Sequence, residues 1–186
     1  MPVSRYALFL RGVNVGGVTV TSAALRECLA GAGFTDVRTV LASGNAMVTT
    51  TRVDRGAVRA RAEGAIEAAF GRAIGVVALP QAEVAALVAA CPYEADSQSH
   101  HAYVVLVPDA AALKGLRAAV PSPGGYRDED WCAAPAPLPA IYWWYPRPRD
   151  GERSMQTPVA SAIEAAARGA MTTTRNVRTM RRLMSG

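Results

Sequence analysis

Residues 36–50 read DVRTVLASGNAMVTT, two β-rich runs separated by Ser43, Gly44 and Asn45. Two such runs around a short Gly/Asn turn predict a β-hairpin. The elements predicted around the hairpin are a strand over residues 4–12, a helix over 21–33, a helix capped by Asp54 and a strand over 71–79. The order β-α-β-β-α-β is typical of a ferredoxin-like plait, a four-stranded antiparallel sheet with both helices on one face.

The same order of elements starts again after residue 100. The elements predicted there are a strand over 102–107, a helix from Asp109 to 119, strands over 126–133 and 140–145, and a helix over 154–167. Residues 170–174, AMTTT, form either a short last strand or a loop. The predicted fold class is therefore α+β, with two tandem ferredoxin-like α/β plaits and a C-terminal helix. The predicted domains are 1–80, a connecting helix and linker over 81–100, and 101–186.

Composition narrows the class of protein. A hydrophobic share of 51% with 19% charged residues is ordinary for a globular chain of 186 residues. No apolar run approaches the ~20 residues that span a bilayer, and no signal-peptide core follows the first residues. Cys28, Cys91 and Cys132 are odd in number and lack C-x-x-C spacing, which argues against a disulfide framework or a zinc site. We expect a cytoplasmic protein with no membrane contact, no metal and no cofactor.

Positive charge is concentrated in the last quarter of the sequence. The net charge is +5, and residues 141–186 contain 8 arginines and 3 acids, a difference of 5. Residues 175–184 predict a basic amphipathic helix. Its apolar side carries Val177, Met180, Leu183 and Met184, its cationic side carries Arg175, Arg178, Arg181 and Arg182, and Thr172 to Thr174 offer capping hydroxyls. The cationic side is either a solvated surface or a contact for phosphate or nucleic acid.

The first predicted strand ends in LRGVNVGG, residues 10–17. Gly12, Gly17 and Thr19 have the spacing of the phosphate loop G-x-x-x-x-G-K-[ST], but Val18 stands at the lysine position, which argues against nucleotide hydrolysis. The segment is either an anion-binding nest at a helix start or a tight crossing in which glycines and Asn14 adopt left-handed conformations. We expect the plait to place this loop and the hairpin turn at opposite ends of the sheet.

Residues 141–149 read IYWWYPRPR, an aromatic strand before two arginines. Alternation places Tyr142 and Trp144 on one side and Trp143 and Tyr145 on the other. One pair must lie in the core. The other pair either lies on an open sheet face, as in modules that stack RNA bases, or packs against another domain or a dimer partner.

The remaining polar clusters indicate no catalytic machinery. His100 and His101 are adjacent in a predicted linker, without the spacing of metal ligands or a fixed base. The run Asp128 to Asp130 is typical of a solvated turn or strand edge. No nucleophile is paired with a base, so no catalytic residue is predicted, and whether the protein is an enzyme stays open.

Taken together, LRGVNVGG, LASGN, CPY and TTTRNVRT resemble the bacterial family known as domain of unknown function 1697, over nearly the full length. The resemblance implies tandem α/β plaits and supplies no established activity. This sequence departs from the family pattern at Val18 in place of a lysine, at Val177 in place of a tryptophan, and at residues 152–156, ERSMQ, which lack a lysine. If those lysines bind an anion in relatives, we expect this protein either to bind it more weakly or to rely on Arg153 and Arg175.

The leading hypothesis is an uncharacterised protein that binds an anionic ligand, either nucleic acid or a phosphorylated metabolite. The Gly-rich loop and the Arg-rich C-terminal segment would hold it. The candidate ligand-binding residues are Arg11, Gly12, Asn14, Gly16, Gly17, Ser43, Asn45, Arg153, Thr174, Arg175 and Asn176. The alternatives are a small-molecule enzyme with a site between the two domains, or a structural or dimerisation module. We expect the protein to be a monomer or a homodimer.

Overall fold

The computed structural model describes residues 3–13, 19–41, 44–52, 54–122, 127–148, 157–169 and 172–185. The chain forms two compact units. The first unit comprises Met1–Ala86 and Arg181–Gly186, and the second comprises Leu87–Met180. The domain ranges expected from the sequence stay a prediction about which segments fold independently. No helix in the described ranges is long and apolar enough to cross a membrane.

The first unit has the predicted plait topology. Its elements are β1 (Ser4–Leu10), α1 (Ser22–Gly31), β2 (Thr35–Thr39), β3 (Asn45–Thr50), α2 (Arg55–Phe70), β4 (Val76–Pro80) and the first part of α3 (Gln81–Ala89). The sheet order is β2-β3-β1-β4 and every pair is antiparallel. Thr21 caps α1 and Asp54 caps α2, through side-chain oxygens that accept from backbone N–H groups. The ferredoxin-like prediction is confirmed.

Strand β4 begins later than the sequence predicts. Gly71 adopts a left-handed conformation, with φ of 66°, and its N–H donates to the Glu67 carbonyl, which ends α2. Residues 72–75 then cross to the sheet, and the strand occupies Val76–Pro80 instead of 71–79. Gly71, which the sequence pattern assigned to the strand, therefore ends helix α2 instead.

Both faces of the first sheet are buried. The face toward α1 and α2 contributes Tyr6, Leu8 and Leu10 to a core that also includes Leu25 and Ile66 of the helices. On the opposite face Phe9, Met47, Val77 and Leu79 are also buried. Burial on both faces explains why the central strand is continuously apolar instead of alternating.

The second unit repeats the topology. Its elements are β5 (His100–Leu106), α4 (Ala110–Ala119), β6 (Asp130–Ala133), β7 (Ala140–Pro146), α5 (Pro158–Gly169), β8 (Thr173–Asn176) and the first part of α6 (Val177–Met184). The sheet order is β6-β7-β5-β8, again antiparallel throughout. This unit therefore has the strand order of a second plait.

The sequence left open whether residues 170–174 form a short last strand or a loop, and the structure contains a strand there. Strand β8 covers Thr173–Asn176 and pairs with β5, so Arg175 lies in a strand and the prediction that it lies on the terminal helix is wrong. Helix α6 starts at Val177 because Asn176 Oδ1 accepts from Arg178 N at 2.9 Å. The predicted capping by Thr172 to Thr174 is also wrong, since Thr173 and Thr174 belong to the ladder with β5.

The aromatic strand β7 packs on both sides within its own unit. Trp143 and Tyr145 join the core beneath α4 and α5. On the other face the Tyr142 hydroxyl donates to the Leu87 carbonyl at 2.8 Å, and the Trp144 indole stacks with other rings. These rings are Tyr93, with centroids 5.2 Å away, and His100, with centroids 4.6 Å away. These contacts account for the aromatic run without an open face for stacking bases.

The acidic run at residues 128–130 is a turn and strand edge, as predicted, but its middle residue is not solvated: Asp128 is exposed in a turn and Asp130 begins the edge strand β6. Glu129 is buried, and its Oε1 accepts from the Trp143 indole N–H at 2.8 Å and from the Thr157 hydroxyl at 2.7 Å. Asp130 Oδ2 accepts from the Tyr93 hydroxyl at 2.9 Å. The prediction of solvent exposure fails for Glu129, because donors that are distant in sequence satisfy its buried carboxylate.

Candidate functional site

Three segments of the first unit meet where strand β1 ends. Leu10 N donates to the Gly44 carbonyl at 2.8 Å, and Arg11 N donates to the Gly75 carbonyl at 2.8 Å. Strands β1 and β2 both run antiparallel to β3, so they point in the same direction and their following loops share one end of the sheet. The expectation that the glycine loop and the hairpin turn lie at opposite ends is therefore wrong.

Gly44 is required by its surroundings. Its φ is 69°, in the left-handed region that favours glycine. An added Cβ would lie 2.7 Å from Val13 Cγ2 and 2.8 Å from Leu10 Cβ. The hairpin turn is thus packed directly against the first residues of the glycine loop, and no other residue type fits without displacement.

Asn45 holds the base of the same turn. It is completely buried, and its Nδ2 donates to the Val40 carbonyl at 3.1 Å. The backbone closes the turn from the other side, because Val40 N donates to the Asn45 carbonyl at 3.0 Å. Asn45 therefore fixes the conformation of the turn instead of facing solvent.

Arg11 and Gly12 form the exposed part of this end. Both residues are exposed. Gly12 has φ of 65°, yet an added Cβ would meet no atom within 4 Å, so the backbone conformation alone calls for glycine. We call the group Arg11, Gly12, Gly44, Asn45 and Gly75 the β1-end site.

Groups that favour an anion lie near the β1-end site, together with one carboxylate, since Glu63 Oε1 accepts from Val76 N at 2.9 Å. Helix α1 starts there, since Ser22 Oγ donates to the Leu41 carbonyl at 3.4 Å, and its first turn contains no acid. Arg72 is exposed in the loop that leads into β4 at the same end. A helix N-terminus and nearby arginines both favour an anion.

Five predicted site residues lie outside the described ranges. They are Asn14, Gly16, Gly17, Ser43 and Arg153. Of the predicted residues in the first unit, the structure therefore brings together Arg11, Gly12 and Asn45.

The other predicted site residues lie in the second unit and have structural contacts. Arg175 Nη1 donates to Thr173 Oγ1 at 2.6 Å and to the Thr174 carbonyl at 2.9 Å. Burial lowers the pKa of the Arg175 guanidinium to about 10, so it remains cationic at neutral pH. Asn176 is the cap of α6, and Thr174 lies half-buried in β8.

The arginines of α6 have different environments. Arg178 Nε donates to the Ala95 carbonyl at 3.2 Å and lies 3.0 Å from Asp96 Oδ1. Arg181 and Arg182 are exposed, while Val177, Met180 and Leu183 are fully buried. The amphipathic helix is therefore confirmed, but its cationic side is narrower than the sequence predicts.

Three titratable side chains of the second unit, His101, Tyr93 and Cys132, have shifted pKa values. Burial lowers the pKa of His101, and the charges of Arg147 and Arg178 lower it further. Burial raises the pKa of Tyr93, whose hydroxyl also donates to Asp130, and burial likewise raises the pKa of Cys132. Among the described residues no group of three or more His, Cys, Asp or Glu side chains could hold a metal ion.

A cavity of about 330 Å³ on the second unit contains none of the site residues expected from the sequence. Lys114 and Arg117 of α4 line it together with Trp131 of β6. Lys114 and Arg117 are three residues apart in a predicted helix, so the sequence could have indicated that both cations lie on one helix face. The sequence could not indicate that Trp131 lies next to these cations, because that requires knowing that β6 lies beside α4.

A family model described as a protein of unknown function, DUF1697, matches residues 3–129. The chain belongs to the DUF1697 family. The match covers the first unit up to residue 86 and continues through β5 and α4 of the second, so the expected family is confirmed, while the motif at residues 172–179 lies outside the match. The family description assigns no activity to this DUF1697 protein.

The conserved bacterial protein SP0830 from Streptococcus pneumoniae has a similar structure. The TM-score is 0.76 at 19% sequence identity, and the alignment covers 98% of this chain and 97% of that chain. At this identity the similarity shows the fold alone. No curated protein sequence matches the DUF1697 chain significantly.

Proposed function

We propose that this DUF1697 protein binds a small phosphate-bearing ligand at the β1-end site. The observation that carries the proposal is the meeting of residues 11–12 with residues 44–45 around an exposed arginine. Both segments belong to the motifs by which the sequence resembles its family. Because the two motifs lie at one place, a single ligand can contact both of them.

The chemistry of the β1-end site suits phosphate. A guanidinium presents five N–H donors in a planar fork that matches phosphate oxygens, and Arg11 is an exposed residue. Gly12 leaves open space beside it, because apart from its chain neighbours no heavy atom of the described residues lies within 4 Å of where a Cβ would be. The start of α1 and the charge of Arg72 add a favourable electrostatic field.

The same contacts favour a small ligand over nucleic acid. Nucleic-acid binders need a continuous cationic surface or an open aromatic platform. In this chain Trp144 stacks with Tyr93 and His100, and Arg178 is paired with Asp96. Arg175 and Asn176 are engaged in β8 and in the cap of α6, so we assign them to structure and confine the proposed ligand to the first unit.

Isothermal titration calorimetry with inorganic pyrophosphate and with ribose 5-phosphate tests the proposal. We expect saturable binding that Arg11→Ala weakens by about tenfold, the loss of one charge-assisted contact. The matched control is Arg5→Ala, because Arg5 is also exposed and lies at the other end of β1. Equal affinities for the Arg11 and Arg5 variants would contradict the proposal.

Fluorescence anisotropy of labelled single-stranded RNA distinguishes the nucleic-acid alternative. We expect weak binding that the Arg11→Ala change does not affect. Tight binding that falls steeply between about 50 and 200 mM salt would show a polyanion surface and would overturn the choice of a small ligand.

We further propose a cytoplasmic location. All three cysteines are free thiols in the structure, as expected for a reducing compartment. Cell fractionation followed by thiol labelling tests this, with the labelled protein expected in the cytoplasmic fraction.

A further inference from the structure

The cavity on the second unit follows one face of helix α4. Its lining comprises Ala110, Leu113, Lys114, Arg117 and Ala118 of that helix, together with Trp131 of β6. The helical positions are spaced by three and four residues, so they form one continuous stripe. The volume of about 330 Å³ lies at the lower end of the range for small-molecule sites.

Trp131 forms a fixed wall of this groove. Its indole N–H donates to the Pro121 carbonyl at 2.7 Å, which holds the plane of the ring. The residue is half-buried and packs against the hydrophobic core from the edge strand of the sheet. The exposed part of a rigid indole is a surface on which a flat ring can stack.

Two cations stand beside this wall. Lys114 and Arg117 are exposed, and neither side chain has an ion pair or a hydrogen bond within the described part of the chain. No acid is among the described residues that line the groove. The small side chains of Ala110 and Ala118 leave the floor open between the cations and the indole.

We propose that this groove binds an aromatic anion, a flat ring carrying phosphate or carboxylate, with the ring on Trp131 and the negative charge on Lys114 and Arg117. The proposal is independent of the β1-end site, because it uses different residues in the other unit. A nucleoside monophosphate satisfies both requirements, since its base supplies the ring and its phosphate supplies the charge.

Calorimetric titration with adenosine 5′-monophosphate (AMP) is the first test. We expect saturable binding, while adenosine, which lacks the charge, and inorganic phosphate, which lacks the ring, bind at least about tenfold more weakly. Equal affinity of AMP and adenosine, or no binding of AMP, would overturn the proposal.

Two variants locate the binding without threatening the fold. Lys114→Ala/Arg117→Ala removes exposed charges from a helix that alanine favours, and we expect it to weaken AMP binding by at least about tenfold. Ala118→Leu keeps the charges but fills the floor of the groove, and we expect it to weaken binding similarly. Arg26→Ala/Arg52→Ala removes two exposed charges from the first unit and serves as the matched control.

The Arg11→Ala variant separates the two proposals. We expect it to leave AMP binding unchanged. If Arg11→Ala abolishes AMP binding while Lys114→Ala/Arg117→Ala preserves it, AMP occupies the β1-end site and the groove proposal fails.

Discussion

The two units share one strand order but differ in how each passes from its first strand to its first helix. In the second unit residues 107–109 connect β5 to α4, whereas in the first unit residues 11–21 connect β1 to α1. Such connections usually need about 2–6 residues. The second unit therefore shows that the plait itself does not require the longer loop, and that loop carries the motif in which Arg11 lies.

The interiors of the units differ as well. The first sheet is filled mainly by aliphatic side chains such as Leu8, Leu10 and Leu79. The second sheet buries Trp143 and Tyr142, whose polar atoms are satisfied by Glu129 and by the Leu87 carbonyl. Large aromatic residues bring polar atoms into a core, so the second unit depends on specific hydrogen bonds as well as on burial.

The strongest test of this dependence is Glu129→Ala. The change leaves the Trp143 indole N–H and the Thr157 hydroxyl without their buried acceptor, and we expect it to lower the free energy of unfolding by about 4 kcal/mol. Glu129→Gln retains an acceptor oxygen and should cost much less. Urea denaturation measures both, and equal losses for the two variants would show that the acceptor oxygen is not what matters.

Tryptophan fluorescence assigns the effect to a unit. The sequence has three tryptophans, Trp131, Trp143 and Trp144, and all of them lie in the second unit. Circular dichroism reports helices in both units. A Glu129→Ala transition that moves in circular dichroism but not in fluorescence would contradict the proposed role.

Two glycine substitutions test how much the packing between the hairpin turn and the glycine loop stabilises the first unit. Gly44→Ala combines a left-handed backbone with contacts to Val13 and Leu10 that are too short, and we expect a loss of about 3 kcal/mol. Gly12→Ala has the same backbone cost but open space around it, so we expect about 1 kcal/mol. Circular dichroism during urea denaturation measures both. Similar losses would show that packing between the turn and the loop contributes little.

Asn176→Ala should cost about 1 kcal/mol, because α6 loses its capping oxygen. Asn176→Asp keeps such an oxygen and should restore the stability. We expect neither variant to change the binding of pyrophosphate or ribose 5-phosphate, the opposite of Arg11→Ala. Loss of ligand binding in Asn176→Asp, with stability intact, would return this residue to the candidate ligand site.

The smallest expected effect is a pH dependence in the second unit. The pKa of His101 is lowered in the folded protein by burial and by Arg147 and Arg178, whereas an unfolded histidine titrates near 6.5. The unfolded state therefore binds the proton first, and stability that is complete above about pH 6.5 falls as the pH decreases below it. Melting temperatures between about pH 7.5 and 5.5 should show this fall. His101→Gln should flatten it, and a fall of equal size in that variant would assign it to other groups.

Local signals in the sequence predicted most of the fold. The Ser-Gly-Asn segment predicted the hairpin. Asp54 caps α2 as predicted, and Thr21 and Asp109 cap the helices that begin at the expected positions, since a cap involves residues only three positions apart. The strand order followed from these elements. The DUF1697 resemblance independently implied the same architecture.

What the sequence could not predict depends on distant partners. Helical periodicity extended the last helix to Arg175, because the pairing of β8 with β5 is invisible in a local pattern. The sharing of one sheet end by the glycine loop and the hairpin turn was mispredicted, because the direction of β2 relative to β1 is set through β3. The exposure of Glu129 was mispredicted because its donors lie 14 and 28 residues away.

The division of the chain also bears on the order of synthesis. The first unit includes residues 181–185, where Leu183 is fully buried and the Arg38 guanidinium donates to the carbonyl oxygens of Arg182 and Leu183. The second unit is thus an insertion within the first. During translation its residues are all made before these last contacts exist. The unit whose synthesis begins first is therefore the one completed last.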